Sequence, residues 1–139
     1  MLADVAGQTA TGTFSSQRVR ATVIEMMTGR PLPSSRERPG GTFDARSAVG
    51  TFIVVLANVE NIGSASVCCL PEFRLRDSRG RLFTGDVSES DAKVKHAIQI
   101  FYGLPYQRDD YQPGLPIKRA FIYDVPVDAS GFSLAGDGR

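Results

Sequence analysis

Between residues 17 and 27 the chain alternates, with Val19, Ala21 and Val23 on one phase and Arg18, Arg20 and Thr22 on the other. A period of two places successive side chains on opposite faces of a strand, so this segment reads as a half-buried strand. Residues 50–60 are apolar on both phases for most of their length, which predicts a strand at the centre of a sheet. Asn61-Ile62-Gly63-Ser64 supplies turn residues, and residues 65–70 read as a return strand, giving a hairpin. After Pro71, Phe73 and Leu75 alternate with Arg74 and Arg76; Asp77-Ser78-Arg79-Gly80 then turns the chain, and Leu82-Phe83 returns as a second hairpin. Residues 117–125 alternate again, with Phe121, Tyr123 and Val125 on one face, Pro126 closing the strand, and Phe132 and Leu134 marking a last one.

The remaining stretches lack that rhythm. Residues 1–16 are rich in Gly, Ala, Thr and Ser and read as a loose leader. Residues 28–48 carry Pro31, Pro33, Pro39 and Gly40-Gly41, which predicts a long surface loop. In 85–101 the period changes: Val94, Ala97, Ile98 and Phe101 fall at helical spacing behind Ser88 or Ser90 as a cap, predicting one short helix. Residues 102–116 hold three Tyr, three Pro and two Gly, the composition of a loop. The expected architecture is all-β: an immunoglobulin-like antiparallel β-sandwich of about seven strands with one short inserted helix. The domain spans 17–135 and a tail spans 136–139. Phe52, Val54, Leu56, Phe73, Leu75, Phe121, Tyr123 and Leu134 are expected in its core.

With 139 residues the chain suits one hydrophobic core. Sixteen basic residues against fifteen acidic ones give a net charge of +1, which supplies no field for nucleic acid or an anionic membrane. No apolar run approaches the roughly 18 residues of a membrane span, and residues 1–7 have neither the basic start nor the apolar run of an export signal. Cys68 and Cys69 are adjacent in an expected strand, where they would point to opposite faces, so they read as packing residues, with a redox or thiol role as the alternative, and do not report the compartment.

His96 is the only histidine, and no nucleophile lies near it in sequence, so catalysis by a Ser-His-Asp or Cys-His set is not expected. One histidine and two diverging cysteines fall short of a structural zinc set, and the acids Asp86, Glu89, Asp91, Asp109 and Asp110 match no calcium-loop spacing. The reading is therefore of a chain with no cofactor and no metal. Tyr102, Tyr106 and Tyr111, interleaved with Arg108 and Asp109, have the composition of a recognition loop, and more often of a cover for the open end of a sandwich. Arg74, Arg76, Arg79 and Arg81 gather on one hairpin, where they could grip an anionic partner or simply keep an outer strand soluble.

Three segments carry a family resemblance. They are 48–63, with a glycine, a hydrophobic strand and an Asn-x-Gly turn; Phe73-Arg74-Leu75-Arg76-Asp77-Ser78-Arg79-Gly80-Arg81; and Gln112-Pro113-Gly114 followed by Phe121-Ile122-Tyr123-Asp124-Val125-Pro126. In this order they resemble a bacterial family of domains of unknown function with a telokin-like, immunoprotective-extracellular-protein-like sandwich, found in secreted proteins and lipoproteins. The paired cysteines and the helical segment depart from that pattern. The resemblance implies an extracytoplasmic location and no catalytic residues.

The function expected is thus a non-catalytic binding or accessory module that recognises a protein or surface polymer through its loops, with Tyr102, Tyr106, Arg108, Asp109, Tyr111, Arg74 and Arg76 as its binding residues. The alternative is a protease-inhibitor-like sandwich that inserts an exposed loop, such as 28–48, into a target enzyme. A hydrolytic or metal-dependent enzyme built on His96 and the acids is the least favoured class.

Overall fold

The computed structural model describes residues 5–28, 32–38, 42–46, 49–85 and 110–136. Among them the chain forms nine strands: β1 (Thr9–Phe14), β2 (Gln17–Thr28), β3 (Leu32–Arg38), β4 (Thr42–Arg46), β5 (Thr51–Asn61), β6 (Arg74–Arg76), β7 (Leu82–Phe83), β8 (Ile117–Val125) and β9 (Ser133–Ala135). A four-stranded sheet in the order β1-β2-β5-β8 faces a three-stranded sheet in the order β7-β6-β9, and β3 pairs with β4 as a separate ribbon. Every strand pairing is antiparallel.

The two-residue rhythm decides what each strand buries. In β2, Val19, Ala21 and Val23 enter the core while Arg18 and Arg20 face water. A bulge between Val23 and Glu25 adds one residue to β2, so that Met26 returns to the core side opposite Val55. Without that extra residue the end of the strand would present its other face. β5 lies between β2 and β8, as its apolar character on both phases predicts.

One of the expectations for the core changes phase. Ile53, Val55, Ala57 and Val59 of β5 are the residues that meet the second sheet's Phe73, Leu75 and Leu134. Phe52, Val54 and Leu56 point the other way and form a second cluster with Met27, Ala120 and Ile122. A run apolar on both phases names no inward face, which is why sequence pattern could not choose between them.

Two bonds tie the layers together. The Tyr123 hydroxyl of β8 donates to the Phe73 carbonyl at 2.6 Å, and the Phe73 and Phe121 rings meet at 5.7 Å between centroids. Burial, with a further contribution from the charge of Glu72, pushes the Tyr123 hydroxyl well above the ordinary tyrosine value, so it remains a donor at any physiological pH. Where β9 ends, Gly136 lies so close to the Thr11 carbonyl of β1 that a Cβ there would collide with backbone, so only glycine lets these edges meet.

Four expectations are corrected. The leader is not loose throughout, because Thr9–Phe14 forms β1 in a hairpin with β2, and Val5 and Ala10 are buried. On the inward side of β1, Ala10 and Gly12 are buried and Phe14 packs against the edge of the core. The loop expected over 28–48 contains the β3–β4 ribbon; Pro33 falls at the irregularity of that pairing, where a missing N–H is tolerated. The return strand expected over 65–70 reduces to a single bridge between Val67 and Tyr111. Cys68 and Cys69 therefore lie in no strand; both are exposed and joined by a disulfide, not packed in the core. The helix expected over 85–101 falls, from residue 86 on, outside the described residues, and the described residues contain no helix.

Candidate functional site

The Asp77–Gly80 turn builds one side of the site. Asp77 is buried, and its Oδ1 accepts from the backbone N–H groups of Arg79 at 3.1 Å and Arg81 at 2.9 Å, while its Oδ2 accepts from Arg81 Nε at 2.8 Å. Gly80 completes the turn at a φ of 80°, a region that other residues enter at a cost. The guanidinium groups of Arg81 and Arg79 then reach Asp128 at 3.2 and 3.1 Å, and the Ser78 N–H donates to the Ser130 carbonyl at 2.8 Å. This turn therefore holds the 126–132 connection in place, and two of the four hairpin arginines are used in doing so.

Burial alone would raise the Asp77 carboxyl, but the Arg81 and Arg79 hydrogen bonds outweigh it and hold the group below the ordinary aspartate value. For Asp128 the Arg81 hydrogen bond is the largest influence, and it too is lowered. A carboxylate that ionises more readily folded than unfolded adds stability above its unfolded pKa, and that stability is lost as the pH falls through the folded value. Thermal melts taken from neutral pH down to about pH 3 should show the melting temperature falling below about pH 4, with a visibly shallower slope for Asp77→Asn.

The opposite wall comes from the N-terminal segment. Gly7 turns the chain at a φ of 90°, its N–H donates to the Val23 carbonyl at 2.8 Å, and the Val23 N–H donates to the Gln8 carbonyl at 2.8 Å. This fastens Val5 and Gln8 onto β2. Between the two walls lies a cleft of about 570 Å³, lined by Val5, Gln8, Thr28, Thr51 and Ile53 on one side and by 127 and 129–132 on the other. That volume falls within the roughly 300–1,000 Å³ typical of small-ligand sites.

Among the described residues, no lining residue is ionisable. The polar groups are Gln8, Thr28, Thr51 and Ser130, and the apolar ones include Val5, Ile53 and Phe132. The Gln8 Oε1 is shut away from solvent and accepts no hydrogen bond among the described residues. A buried acceptor without a donor costs about 1–3 kcal/mol, and turning the amide toward a ligand that offers an N–H or O–H would recover it. Such a lining can hold an uncharged molecule by hydrogen bonds and apolar contact.

At the other end of the sheet a different polar cluster forms. Asn61, fully buried, donates through Nδ2 to the carbonyls of Ala65 at 2.8 Å and Tyr111 at 2.9 Å, and its Oδ1 accepts from the Gly63 N–H at 2.9 Å. Arg119 occupies an inward position of β8, with Nε donating to the Tyr111 hydroxyl at 3.1 Å and its guanidinium over the Tyr111 ring at 5.6 Å. Its Nη1 donates to the Lys118 carbonyl, and its Nη2 is buried with no partner. Asn61 and Ile53 are separated by about 25 Å along β5, at roughly 3.3 Å per residue, so this cluster is distinct from the cleft.

Of the binding residues expected from sequence, Tyr102, Tyr106, Arg108 and Asp109 lie outside the described residues, as do His96, Asp86, Glu89 and Asp91. Tyr111 is 3% exposed and structural: it serves Asn61 and Arg119 and offers no recognition surface. Arg74 is half-buried with Nε unpartnered, Arg76 is exposed, and neither is joined to Tyr111. Of the expected set, Tyr111, Arg74 and Arg76 fall among the described residues, and Tyr111 shares no hydrogen bond there with either arginine. Sequence reasoning missed Gln8 and Val5, placed in the leader, and Asp128 and Ser130, for which no periodicity spoke. It also missed Arg119, although a charge on the same phase as Phe121, Tyr123 and Val125 was the signal that could have found it.

The fold and the cleft define an all-β sandwich with an uncharged recess at one end. It is similar in fold to MPT63, a secreted protein from Mycobacterium tuberculosis, with a TM-score of 0.56 and 14% identity over 91% of this chain and 82% of that chain. At that identity the likeness is one of fold. No protein-family model matches the sequence, and no curated protein matches it.

Proposed function

We propose that this chain is a non-catalytic, extracytoplasmic binding module of the immunoglobulin-like type, which seats an uncharged segment of a surface polymer in the end cleft. The observation that carries the reading is the cleft's composition: every lining residue among those described is neutral, and the Gln8 Oε1 is buried without a donor. A charged ligand would lose its hydration there with nothing to replace it, whereas a hydroxyl-bearing neutral one would meet Gln8, Thr28, Thr51 and Ser130. The extracytoplasmic location is supported by the resemblance to telokin-like secreted domains and lipoproteins and by the fold likeness to a secreted protein.

Titration of the full chain with neutral and anionic cell-envelope polysaccharide fragments tests this. Neutral fragments should bind, and Ser130→Phe, which adds bulk to the cleft lining, should weaken binding at least tenfold, about 1.4 kcal/mol, without changing the melting temperature. Binding indifferent to both Ser130→Phe and Gln8→Leu, or no binding of any fragment, would overturn it.

A further inference from the structure

The connection from β5 to β6 carries a second piece of chemistry, independent of the cleft. Val67 exchanges two backbone hydrogen bonds with Tyr111, at 2.7 and 3.2 Å, and Pro71 is buried. Between these two anchored residues stand Cys68 and Cys69, both exposed and bonded to each other. Their Cα atoms are 3.8 Å apart, the spacing fixed by the single trans peptide that joins them.

A structural disulfide gains its stability by removing loop entropy from the unfolded chain, and the gain grows with the number of residues enclosed. Here the bonded residues are neighbours, with a sequence separation of 1, so almost no loop is closed. The bond therefore does little to hold the fold. What it does offer is an accessible sulfur–sulfur bond in a short ring, on a segment pinned from both sides, which an incoming thiolate can reach without unfolding the domain.

We propose that Cys68–Cys69 is a thiol–disulfide exchange site whose partner is a dithiol reductant. A thiolate of the reductant attacks one exposed Sγ. The Cys68–Cys69 bond breaks, and the displaced sulfur leaves as a thiolate that takes a proton from water. The reductant's second thiol, having lost its proton, then attacks its own sulfur in the mixed disulfide, closing the reductant's disulfide and releasing the second cysteine as a thiol. Two electrons and two protons pass to the chain, and the reductant is oxidised by the same amount. The resulting dithiol has both sulfurs on adjacent residues, the arrangement that a monosubstituted trivalent arsenical bridges.

The test uses the full chain, purified in air and kept folded. Alkylation followed by intact-mass measurement should find no modified cysteine before treatment and two after a stoichiometric amount of dithiothreitol, with the melting temperature little changed. The reduced chain should take up one equivalent of phenylarsine oxide, and Cys69→Ser should take up none while alkylating at Cys68 without prior reduction. Two alkylated cysteines in the untreated protein, or a disulfide that dithiothreitol opens only in denaturant, would overturn the proposal. So would a melting temperature that collapses on reduction, since the bond would then be a structural staple.

Discussion

Asn61→Asp is expected to cost about 3 kcal/mol of folding stability at neutral pH, although it replaces one atom with another of nearly the same size. The native side chain is fully buried and spends both amide hydrogens on the carbonyls of Ala65 and Tyr111. A carboxylate there turns two donors into acceptors that face acceptors, and each buried group left unsatisfied costs about 1–3 kcal/mol. The loss should recover in part as the pH is lowered: burial and the two carbonyls raise the pKa of the introduced carboxyl, and its protonated form regains one donor. Urea denaturation at neutral and mildly acidic pH gives both values. A variant as stable as the parent at neutral pH would show that Asn61 does not organise this end of the sandwich.

Leu75→Ala is expected to cost about 2–5 kcal/mol, the range for a buried leucine truncated to alanine. Leu75 is fully buried at the middle of the three-stranded sheet, opposite Phe83 of β7 and Leu134 of β9, so these three side chains lie in a row on the inward face. The strands concerned are two or three residues long and contribute few ladder hydrogen bonds. Packing across that row therefore holds the sheet together. Arg76→Ala, one residue away on the exposed phase, serves as the control and should lie within about 0.5 kcal/mol of the parent. Equal costs for the two variants would mean that the second layer is not packed as described.

These two residues also mark how far sequence reading reaches. Leu75 was legible because its neighbours alternate, Phe73 and Leu75 against Arg74 and Arg76, and a half-buried strand states its inward face in its own pattern. Asn61 was legible only as part of a turn. That its carboxamide would reach Tyr111, across a long stretch of chain, depends on which strands become neighbours. The same division separates β2 from β5: alternation shows which side of β2 is buried, whereas β5, apolar on both phases, left its inward side undecided until its partners were known.

The cleft was illegible for a related reason. Its walls come from the N-terminal turn, the starts and ends of long strands, and the β8–β9 connection, none of which carries a periodic signal. Gln8 gains meaning only because Gly7 and Val23 pin it against β2, and Ser130 only because Asp128 is drawn to Arg79 and Arg81. Cys68 and Cys69 illustrate the converse case. Their adjacency is plain in the sequence, but a strand was assumed around them, and only the tertiary structure replaced that strand with an exposed loop.

From local pattern alone came the all-β class, the half-buried phases of β2, β6 and β8, and the Asp77–Gly80 turn, because side-chain alternation and turn stereochemistry act over a few residues. Strand order, the choice of inward face on β5, the seating of the N-terminal segment and the neutral cleft were decided by the tertiary structure. Each of these requires contacts between residues far apart in the chain, and no local preference encodes which distant surface will arrive to be buried.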